Sequence, residues 1–410
     1  MEQYHWAREH FLSARVKAAS LQLRHYLDVR AGQIAGQGSR IYDFSDETNM
    51  GAEQEPVKAA VIDMVRRGLP VGELRGLSSF REAIAEKEKE DKGLDLDPDA
   101  NIMVTSGGSM QSMYFAMQAT IDPGDEVIIG YPGLTVDEIV KLAGGRPVYV
   151  PIREEDGYRY DLEALKRAIT PRTKMIYFNT PHNPTGRVFP RDEVQQIADI
   201  AVDHDLLVLS DEVHETNVWD GRRHVSIATL PGMQDRTIVC NSITKCYHMF
   251  RWRVGWMLAN EHLIDEVDKL MMWSAQFPPP LMQAGAEALL RGIRGDLKDW
   301  YSATQADLQL RRDTLWQWLS KMPGFVPFKP EGTFLSFSNT ASLNKSSAKL
   351  AEYLLEKAHV LVAPGISYLG EGHLRISFDR PREEIDEGME LARAAIEDYP
   401  RSGRGVGRSS

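Results

Sequence analysis

Four polar segments of the 410-residue chain could carry chemistry, and each adjoins a short apolar stretch of the kind that forms a buried strand. Residues 104–109 include Gly108 and could present backbone N–H groups to a phosphate at the start of a helix. The other three segments offer the amide of Asn183, the carboxylate of Asp211 and the amine of Lys245. Ligands of open α/β sheets bind beyond the carboxyl ends of the strands, so these segments are candidates for one shared site.

Taken one at a time, these residues have ordinary structural explanations. Asp211 could cap a helix. The Gly107-Gly108 pair could form a turn, since it is not the Gly-x-Gly-x-x-Gly dinucleotide fingerprint. Lys245 could be a surface lysine, because lysine is rarely buried, and Asn183 could be a turn residue. Only their combination favours a functional site.

The elements that would position these residues are indicated by the apolar pattern. Short apolar or β-branched stretches predict strands at residues 126–129, 175–178, 206–209, 237–240, 334–337 and 374–378. A helix with one buried face is predicted by the spacing of Val194, Ile197, Ala198 and Ala201. Nearly continuous apolar strands separated by helices predict a mainly parallel sheet covered on both sides, which is an α/β fold.

The pattern also predicts four regions along the chain. A helical arm is expected at residues 1–40, a large domain over most of residues 41–300, and a smaller domain at residues 301–400. The smaller domain is expected to follow a long charged helix and to include part of the N-terminal segment. Residues 401–410 are rich in Gly, Ser and Arg and are expected to form a disordered tail.

Composition argues against several functional classes. The net charge of −11 disfavours a surface that binds nucleic acid or anionic lipid. Only two cysteines occur, Cys240 and Cys246, which disfavours a disulfide framework or a zinc site, and no metal is expected. The N-terminus lacks the pattern of a signal peptide, and no apolar stretch approaches membrane-spanning length. We therefore expect a cytoplasmic protein with no nucleic-acid or membrane partner.

The motif positions occur in the order found in one enzyme family, and they are Gly108-Ser109, Asn183, Asp211, Lys245, Arg253 and Arg375. From about residue 55 to 395 the chain resembles the class I/II aminotransferase branch of the fold-type-I enzymes that depend on pyridoxal 5'-phosphate. The stretch from His224 to Met233 also resembles the kynurenine/glutamine aminotransferase and cysteine-conjugate lyase subgroup. The resemblance implies a mainly parallel seven-stranded sheet between helices, a smaller α+β C-terminal domain, and a homodimer with shared active sites.

The resemblance implies that pyridoxal 5'-phosphate is the cofactor and that Lys245 is its Schiff-base anchor. Lys245 would also be the catalytic residue that moves protons at the substrate Cα. Asp211 would pair with the pyridine nitrogen and keep it protonated. Asn183 would donate a hydrogen bond to the phenolic oxygen of the cofactor.

The phosphate and the substrate would be held by further motif residues. Gly108, Ser109, Ser242 and Arg253 would bind the cofactor phosphate, which suits the planar fork of an arginine. Arg375, together with Asn183, would bind the carboxylate of an α-amino acid substrate.

Four positions depart from the family pattern. His214 stands where a tyrosine usually bonds the phenolic oxygen, and the charge of an imidazole can change near neutral pH. Leu134 replaces the aromatic residue that stacks on the cofactor ring. Val71 replaces a tyrosine that the partner subunit lends to the phosphate, and Arg251 replaces a glycine. Leu134 and His214 are still expected to contact the cofactor.

These departures leave the reaction open between two enzyme classes and a third alternative. Transamination of an α-amino acid is the expected outcome. A lyase, γ-replacement or cyclisation enzyme is the alternative, acting on a sulfur-containing or otherwise activated amino acid in a specialised biosynthetic pathway, because the C–S β-lyase branch also tends to have a histidine at this position. A regulatory protein on the same scaffold is disfavoured by the net charge.

Overall fold

The computed structural model describes residues 12–20, 24–46 and 54–400. The α-helices in these residues are α1 (Ala14–Ala18), α2 (Arg24–Gly36), α3 (Glu55–Arg67), α4 (Ser78–Lys92), α5 (Ser109–Thr120), α6 (Asp137–Ala143), α7 (Leu162–Ala168), α8 (Arg191–Asp203), α9 (Ile243–Cys246), α10 (Glu261–Ser274), α11 (Pro280–Gly292), α12 (Lys298–Lys321), α13 (Ser347–Ala358) and α14 (Arg382–Glu397). The strands are β1 (Tyr42–Asp43), β2 (Ile102–Thr105), β3 (Glu126–Tyr131), β4 (Arg146–Arg153), β5 (Arg159–Tyr160), β6 (Thr173–Asn179), β7 (Leu207–Asp211), β8 (Thr237–Ser242), β9 (Gly255–Leu258), β10 (Val326–Pro327), β11 (Leu335–Asn339), β12 (Val360–Leu361), β13 (Ala363–Pro364) and β14 (His373–Ser377).

The large sheet confirms the predicted α/β fold and its mainly parallel character. Its strand order is β2-β9-β8-β7-β6-β3-β4-β5, and β9 and β5 are antiparallel to their neighbours. Within the described residues it has eight strands rather than the seven expected. The additional strand is the two-residue β5, which pairs with the end of β4 and is too short to produce a recognisable apolar run.

The sheet is covered by helices on both faces, as continuous apolar strands require. All four residues of β2 are buried, and the predicted helical face of α8 is buried through Val194, Ile197, Ala198 and Ala201. Complete burial of a Val or Ile side chain contributes about 1.5–3 kcal/mol to stability. These apolar contacts hold the strands in one register and so determine where their polar ends lie.

The register of three parallel strands aligns the candidate site. Asn179 at the end of β6 pairs with Asp211 at the end of β7, and Asp211 in turn pairs with Cys240 of β8. The predicted strands stop one or two residues too early, because the backbone ladder continues after the side chains change from apolar to polar. Asn179, Asp211 and Ser242 are thus the last residues of their strands.

A second sheet has the order β10-β11-β14-β13, and Arg375 lies on β14 opposite Phe337 of β11. Strand β1 pairs with β12, so the segment at residues 42–43 lies beside the C-terminal part of the chain. The long charged helix predicted after about residue 300 is α12. The division into domains remains a prediction.

Part of the predicted arm and all of the predicted tail lie outside the residues that the structure describes. Residues 1–11 and 401–410 lie outside the described residues, as do residues 21–23 and 47–53. In the part of the chain that is described, none of the helices combines the length and the apolar character needed to cross a bilayer.

Candidate active site

A cavity of about 330 Å³ opens where β6, β7 and β8 end. Of the ten residues singled out in the sequence, nine line it, and they are Ser109, Leu134, Asn183, Asp211, His214, Ser242, Lys245, Arg253 and Arg375. The tenth, Gly108, lies beside Arg253. Residues separated by more than 250 positions in sequence thus meet in one cavity.

One end of the cavity is a polar hollow at the start of α5. Gly108 precedes this helix with a φ of +69°, a conformation that favours glycine. A Cβ atom at Gly108 would lie 3.1 Å from Nη2 of Arg253 and 3.7 Å from Oγ1 of Thr244. Arg253 donates a hydrogen bond of 2.7 Å to the carbonyl of Gly107. The missing side chain therefore leaves space between a helix N-terminus, a guanidinium and a hydroxyl.

Close packing of β9 is needed to hold this hollow together. A Cβ atom at Gly255 would lie 2.6 Å from the backbone nitrogen of Ser109 and 2.5 Å from the carbonyl carbon of Gly108. Any larger residue at 255 would displace the loop that begins α5. Glycine at this position is required by the close backbone approach.

The hollow contains a buried hydroxyl that calls for a ligand or a water molecule. Oγ1 of Thr244 is buried and has no hydrogen-bond partner among the described residues. The neighbouring Ser242 accepts a hydrogen bond of 3.3 Å from the backbone nitrogen of Thr244, which begins α9. Buried polar atoms are normally hydrogen-bonded, so Thr244 is a further candidate for ligand binding. Sequence reasoning did not select it, although it lies next to Lys245 in the motif.

Asp211 lines the cavity and is buried. Burial raises the pKa of its carboxyl group to about 6, against the opposing effect of hydrogen bonds from Tyr177 and from the backbone of Val213. The Tyr177 hydroxyl donates to Oδ2 at 2.9 Å. A cation placed beside this carboxylate would lower the pKa again and relieve the cost of burying the charge.

The position of Asp211 is secured by a residue that the sequence analysis did not select. The side-chain amide of Asn179 donates to the carbonyl of Asp211 at 2.9 Å and accepts from the backbone nitrogen of Asn183 at 2.7 Å. Tyr177 and Asn179 are two residues apart in β6, so both side chains point to the same face of the sheet. That spacing is the signal that could have identified them.

Lys245 lies in an aromatic part of the cavity. Its Nζ lies 5.2 Å from the ring centre of Phe250 and 5.9 Å from that of Phe334. The residue belongs to the short helix α9, which directly follows β8 and thus projects from the edge of the sheet. Its amine is placed in the same cavity as the carboxylate of Asp211.

Arg375 is buried and held in a defined orientation. Its Nη2 donates to the carbonyl of Ser45 at 2.6 Å, and its Nη1 donates to Oδ1 of Asn183 at 3.2 Å. The guanidinium carbon lies 4.4 Å from the ring centre of Tyr368. Asp46, which follows Ser45, also lines the cavity.

The four departures from the family pattern have different outcomes. Leu134 and His214 line the cavity, whereas Val71 and Arg251 are exposed and do not. The surroundings of His214 keep its charge constant near neutral pH. Burial, with contributions from Arg375 and His248, lowers its pKa to about 3, so the imidazole is neutral at physiological pH.

Comparison with known proteins identifies the family. The model of the family described as "Aminotransferase class I and II" matches residues 44–391. The chain belongs to this family.

Relatives of this aminotransferase cover most of its length. It is 36% identical over 320 residues to aromatic-amino-acid aminotransferase 2 of Thermococcus litoralis, an alignment that covers 77% of the chain and 81% of the relative. It is 30% identical to aspartate aminotransferase of Bacillus subtilis, covering 95% of the chain and 99% of the relative. The structure of Thermus thermophilus aspartate aminotransferase with maleate superposes with a TM-score of 0.88 at 30% identity, covering 94% and 99%. That of an aromatic aminotransferase from Pyrococcus horikoshii gives 0.83 at 33% identity, covering 90% and 99%.

Behind Asp211, the aminotransferase contains a buried ionic cluster that sequence analysis did not anticipate. Glu212 is fully buried and contacts Lys92 at 2.8 Å, Nε2 of His224 at 3.0 Å and the Ser226 hydroxyl at 2.6 Å. Lys87, also fully buried, contacts Glu215 at 2.5 Å and Glu88 at 3.0 Å. The lysines lie in the charged helix α4, whose sequence resembles a solvated face.

The cluster is electrostatically matched. Burial alone would raise the pKa of Glu215, but Lys87 and Lys92 lower it to about 2. Burial alone would lower the pKa of Lys87, but Glu215, Glu88 and Asp91 raise it above its ordinary value. Each charge is therefore stabilised by the others. The cluster thereby fixes the position of the backbone segment that carries Asp211.

We expect Lys87→Met to destabilise the protein by about 3–5 kcal/mol, because it leaves Glu215 and Glu88 buried with less compensation. Lys89→Met is the matched control on the same helix, since Lys89 pairs with Asp95 on the surface and should contribute about 1 kcal/mol or less. Urea unfolding of both variants measures the difference. Equal, small changes in the free energy of unfolding would contradict the prediction.

Proposed function

We propose that this aminotransferase binds pyridoxal 5'-phosphate in the cavity and catalyses amino-group transfer from an α-amino acid. The observation that carries the proposal is the convergence of an amine, a carboxylate and two guanidinium groups on one cavity, from Lys245, Asp211, Arg253 and Arg375. Each of these groups suits a different part of a cofactor that carries an aldehyde, a pyridine nitrogen and a phosphate, together with a substrate carboxylate.

The polar hollow supports a phosphate site. The space left at Gly108 is bordered by the guanidinium of Arg253 and by the Thr244 hydroxyl, which has no hydrogen-bond partner in the described part of the chain. Ser109 and Ser242 supply further hydrogen-bonding groups in the same wall. A phosphate dianion there would also be favoured by the N-terminus of α5.

Asp211 supports a protonated pyridine nitrogen. Its buried carboxylate has neutral hydrogen-bond donors in Tyr177 and Val213, so an N–H cation is the partner that would offset its desolvation. When bound, the cofactor supplies an electron sink for the bond broken at the substrate Cα. Asp211 would keep that sink in its more effective, protonated form.

Lys245 is proposed to hold the cofactor covalently and then to move the proton at Cα. Its amine lies near two aromatic rings and in the same cavity as Asp211. Proton transfer by a positioned side chain contributes typically 10²–10⁴-fold to rate. Leu134 is proposed to contact the cofactor ring and His214 its phenolic oxygen, and Asn183 is proposed to donate to the same oxygen.

Arg375 is proposed to bind the substrate carboxylate together with Asn183. The guanidinium is already oriented by the Ser45 carbonyl and by Tyr368, so little rotamer entropy is lost when a ligand binds. Its relatives are named for aspartate and for aromatic amino acids, which makes these the first substrates to examine.

A homodimer with shared active sites is also proposed. Apolar side chains are exposed beside the cavity, including Met110 of its lining and Tyr114 on the same helix. Val71 and Trp273 are each 89% exposed, and the ring of Phe277 lies against Gly72. An exposed apolar surface of this kind is typical of a protein interface. The cytoplasmic location expected from the sequence remains a prediction.

Elimination or replacement at the substrate side chain is the second candidate function. It is favoured by His214, which occupies the cavity wall at the position where this family usually has tyrosine. A neutral imidazole there would donate one hydrogen bond without adding charge. The two functions differ in their products, so one experiment separates them.

The experiment is a half-reaction without an amino acceptor. Enzyme loaded with pyridoxal 5'-phosphate is mixed with one amino acid at a time, starting with aspartate, phenylalanine and tyrosine and continuing with sulfur-containing amino acids. We expect one equivalent of the pyridoxamine form and one of the matching 2-oxo acid. Release of ammonia or a thiol without the pyridoxamine form would reject transamination in favour of elimination.

A further inference from the structure

The imidazole of His214 makes a specific contact away from the cavity. Its Nδ1 lies 3.3 Å from Nδ2 of Asn217, and its ring packs edge-on against Phe334 with ring centres 4.9 Å apart. Both His214 and Asn217 are buried. His214 lines the cavity and Asn217 does not, so Nε2 is the ring nitrogen that remains for a ligand.

The orientation of the Asn217 amide follows from its other neighbours. Its Nδ2 also lies 3.3 Å from the backbone carbonyl of Lys245, an atom that can only accept a hydrogen bond. Its Oδ1 lies 3.5 Å from Nε2 of Gln305, which is a donor. The amide nitrogen therefore faces Lys245 and His214, and each of its two hydrogens has its own acceptor.

The amide orientation determines where the imidazole carries its proton. Because Asn217 donates to Nδ1, that nitrogen must be unprotonated, and the proton of the neutral ring lies on Nε2. Protonation of both nitrogens would remove the bond from Asn217. It would also place a positive charge near the guanidinium of Arg375 and near His248. This charge would lie in the cavity that contains Lys245.

We propose that Asn217 is a positioning residue that holds His214 as the neutral tautomer protonated at Nε2, so that the cavity wall presents a fixed, uncharged hydrogen-bond donor to the phenolic oxygen of the cofactor. The proposal rests on the proposed function for the identity of the acceptor only. A histidine can thereby serve as a donor without the pH-dependent charge that histidine usually brings. Asn217 acts through His214 and does not itself line the cavity.

The protonation of the ring is measured directly by ¹⁵N NMR of the full-length enzyme with labelled histidines, with and without cofactor. The His214 signals are assigned from their absence in His214→Gln. We expect a protonated Nε2 and an unprotonated Nδ1, with no titration between pH 5.5 and pH 8.5. A proton on Nδ1, or a titration within that range, would overturn the proposal whether or not an Asn217 variant folds.

Asn217→Asp tests the cause. The substitution is isosteric and places an oxygen acceptor against Nδ1, so the signal of unprotonated Nδ1 should be lost. The pH dependence of the visible absorption of the bound cofactor should then differ from that of the wild-type enzyme. Asn101→Asp is the matched control, because the Asn101 amide also donates to a backbone carbonyl, that of Ala259 at 3.1 Å, but lies outside the cavity wall.

The outcomes separate this proposal from the proposed function. Absence of a visible cofactor band in the wild-type protein would count against cofactor binding. The ¹⁵N signals of the His214 ring would still report its tautomer in that case. A retained unprotonated Nδ1 in Asn217→Asp, or the same change in Asn101→Asp, would overturn the role of Asn217. Loss of the signal of unprotonated Nδ1 in Asn217→Asp alone supports the role of Asn217.

Discussion

Lys245→Ala should shift the absorption of the bound cofactor to that of its free aldehyde and slow amino-group transfer on the order of 10⁴-fold. The substitution removes both the amine proposed to hold the cofactor and the base proposed to move the Cα proton. The other cavity contacts, from Asp211, Arg253 and Arg375, would remain, so the cofactor should still bind without covalent attachment. The measurements are the absorption spectrum after desalting and the rate of the half-reaction with a saturating amino acid.

Lys174→Ala is the control for Lys245→Ala. Lys174 lies near the amino end of β6, at the opposite end of the strand from Asn179, and pairs with Asp125. Its removal should leave the spectrum and the half-reaction unchanged. A Lys245→Ala enzyme that keeps the wild-type spectrum and rate would refute the proposed site as a whole.

Asp211→Asn should reduce the half-reaction rate by about 10²–10³-fold while it makes the cofactor-free protein more stable. The rate falls because a preorganised charge is removed from the reacting centre, an effect of about this size in other enzymes. Asparagine has nearly the same shape, and its oxygen can still accept the hydrogen bond from Tyr177. Loss of activity could then not be attributed to a disrupted fold.

The gain in stability follows from the raised pKa of Asp211. Its pKa is about 6 in the folded protein, compared with 3.8 for an ordinary aspartate such as that of the unfolded chain. Between these two pH values the folded state therefore binds more protons than the unfolded state. The stability of the cofactor-free enzyme should fall as pH rises through this window, and the carboxylate should cost roughly 3 kcal/mol above it. Asp211→Asn should therefore be more stable than wild type at pH 8 and no more stable below pH 4.

Urea unfolding at the two pH values measures this difference, and Asp122→Asn, at an exposed position, is the control. Saturating cofactor should narrow the gap at pH 8, because a cation beside Asp211 offsets the cost of its burial. A variant that is less stable than wild type at pH 8 without cofactor would show that the carboxylate is already compensated within the protein. The proposed pairing with the pyridine nitrogen would then lose its physical basis.

Much of the fold could be predicted from local patterns. Apolar strands separated by amphipathic helices indicated an α/β sheet, and the buried face of α8 was predicted correctly from the spacing of four residues. The pattern located four of the eight described strands of the large sheet, and the number seven came from the family resemblance; β5 has only two residues and carries no periodic signal. Most of the predicted strands ended too early, because backbone pairing does not depend on side-chain polarity.

The residues that line the candidate cavity were predicted from motifs. The residues that hold these lining residues in place were not. Asn183, Asp211 and Lys245 belong to short segments whose residue types are informative by themselves. The partner of both Tyr177 and Asn179 is Asp211, which lies 34 and 32 positions away, and these contacts exist only because β6 and β7 pair in one register. The partners of Asn217 are His214 and Lys245, which lie 3 and 28 positions away.

The sequence by itself determined the class of fold, the family and the chemical groups available to the reaction, because turn chemistry, hydrophobic period and motif spacing are local properties. Only the tertiary structure decided the charge of His214, the elevated pKa of Asp211 and the burial of Lys87 and Glu215. These properties depend on desolvation and on neighbours brought from distant segments. A charged residue in a polar stretch looks the same in sequence whether water or another charge surrounds it.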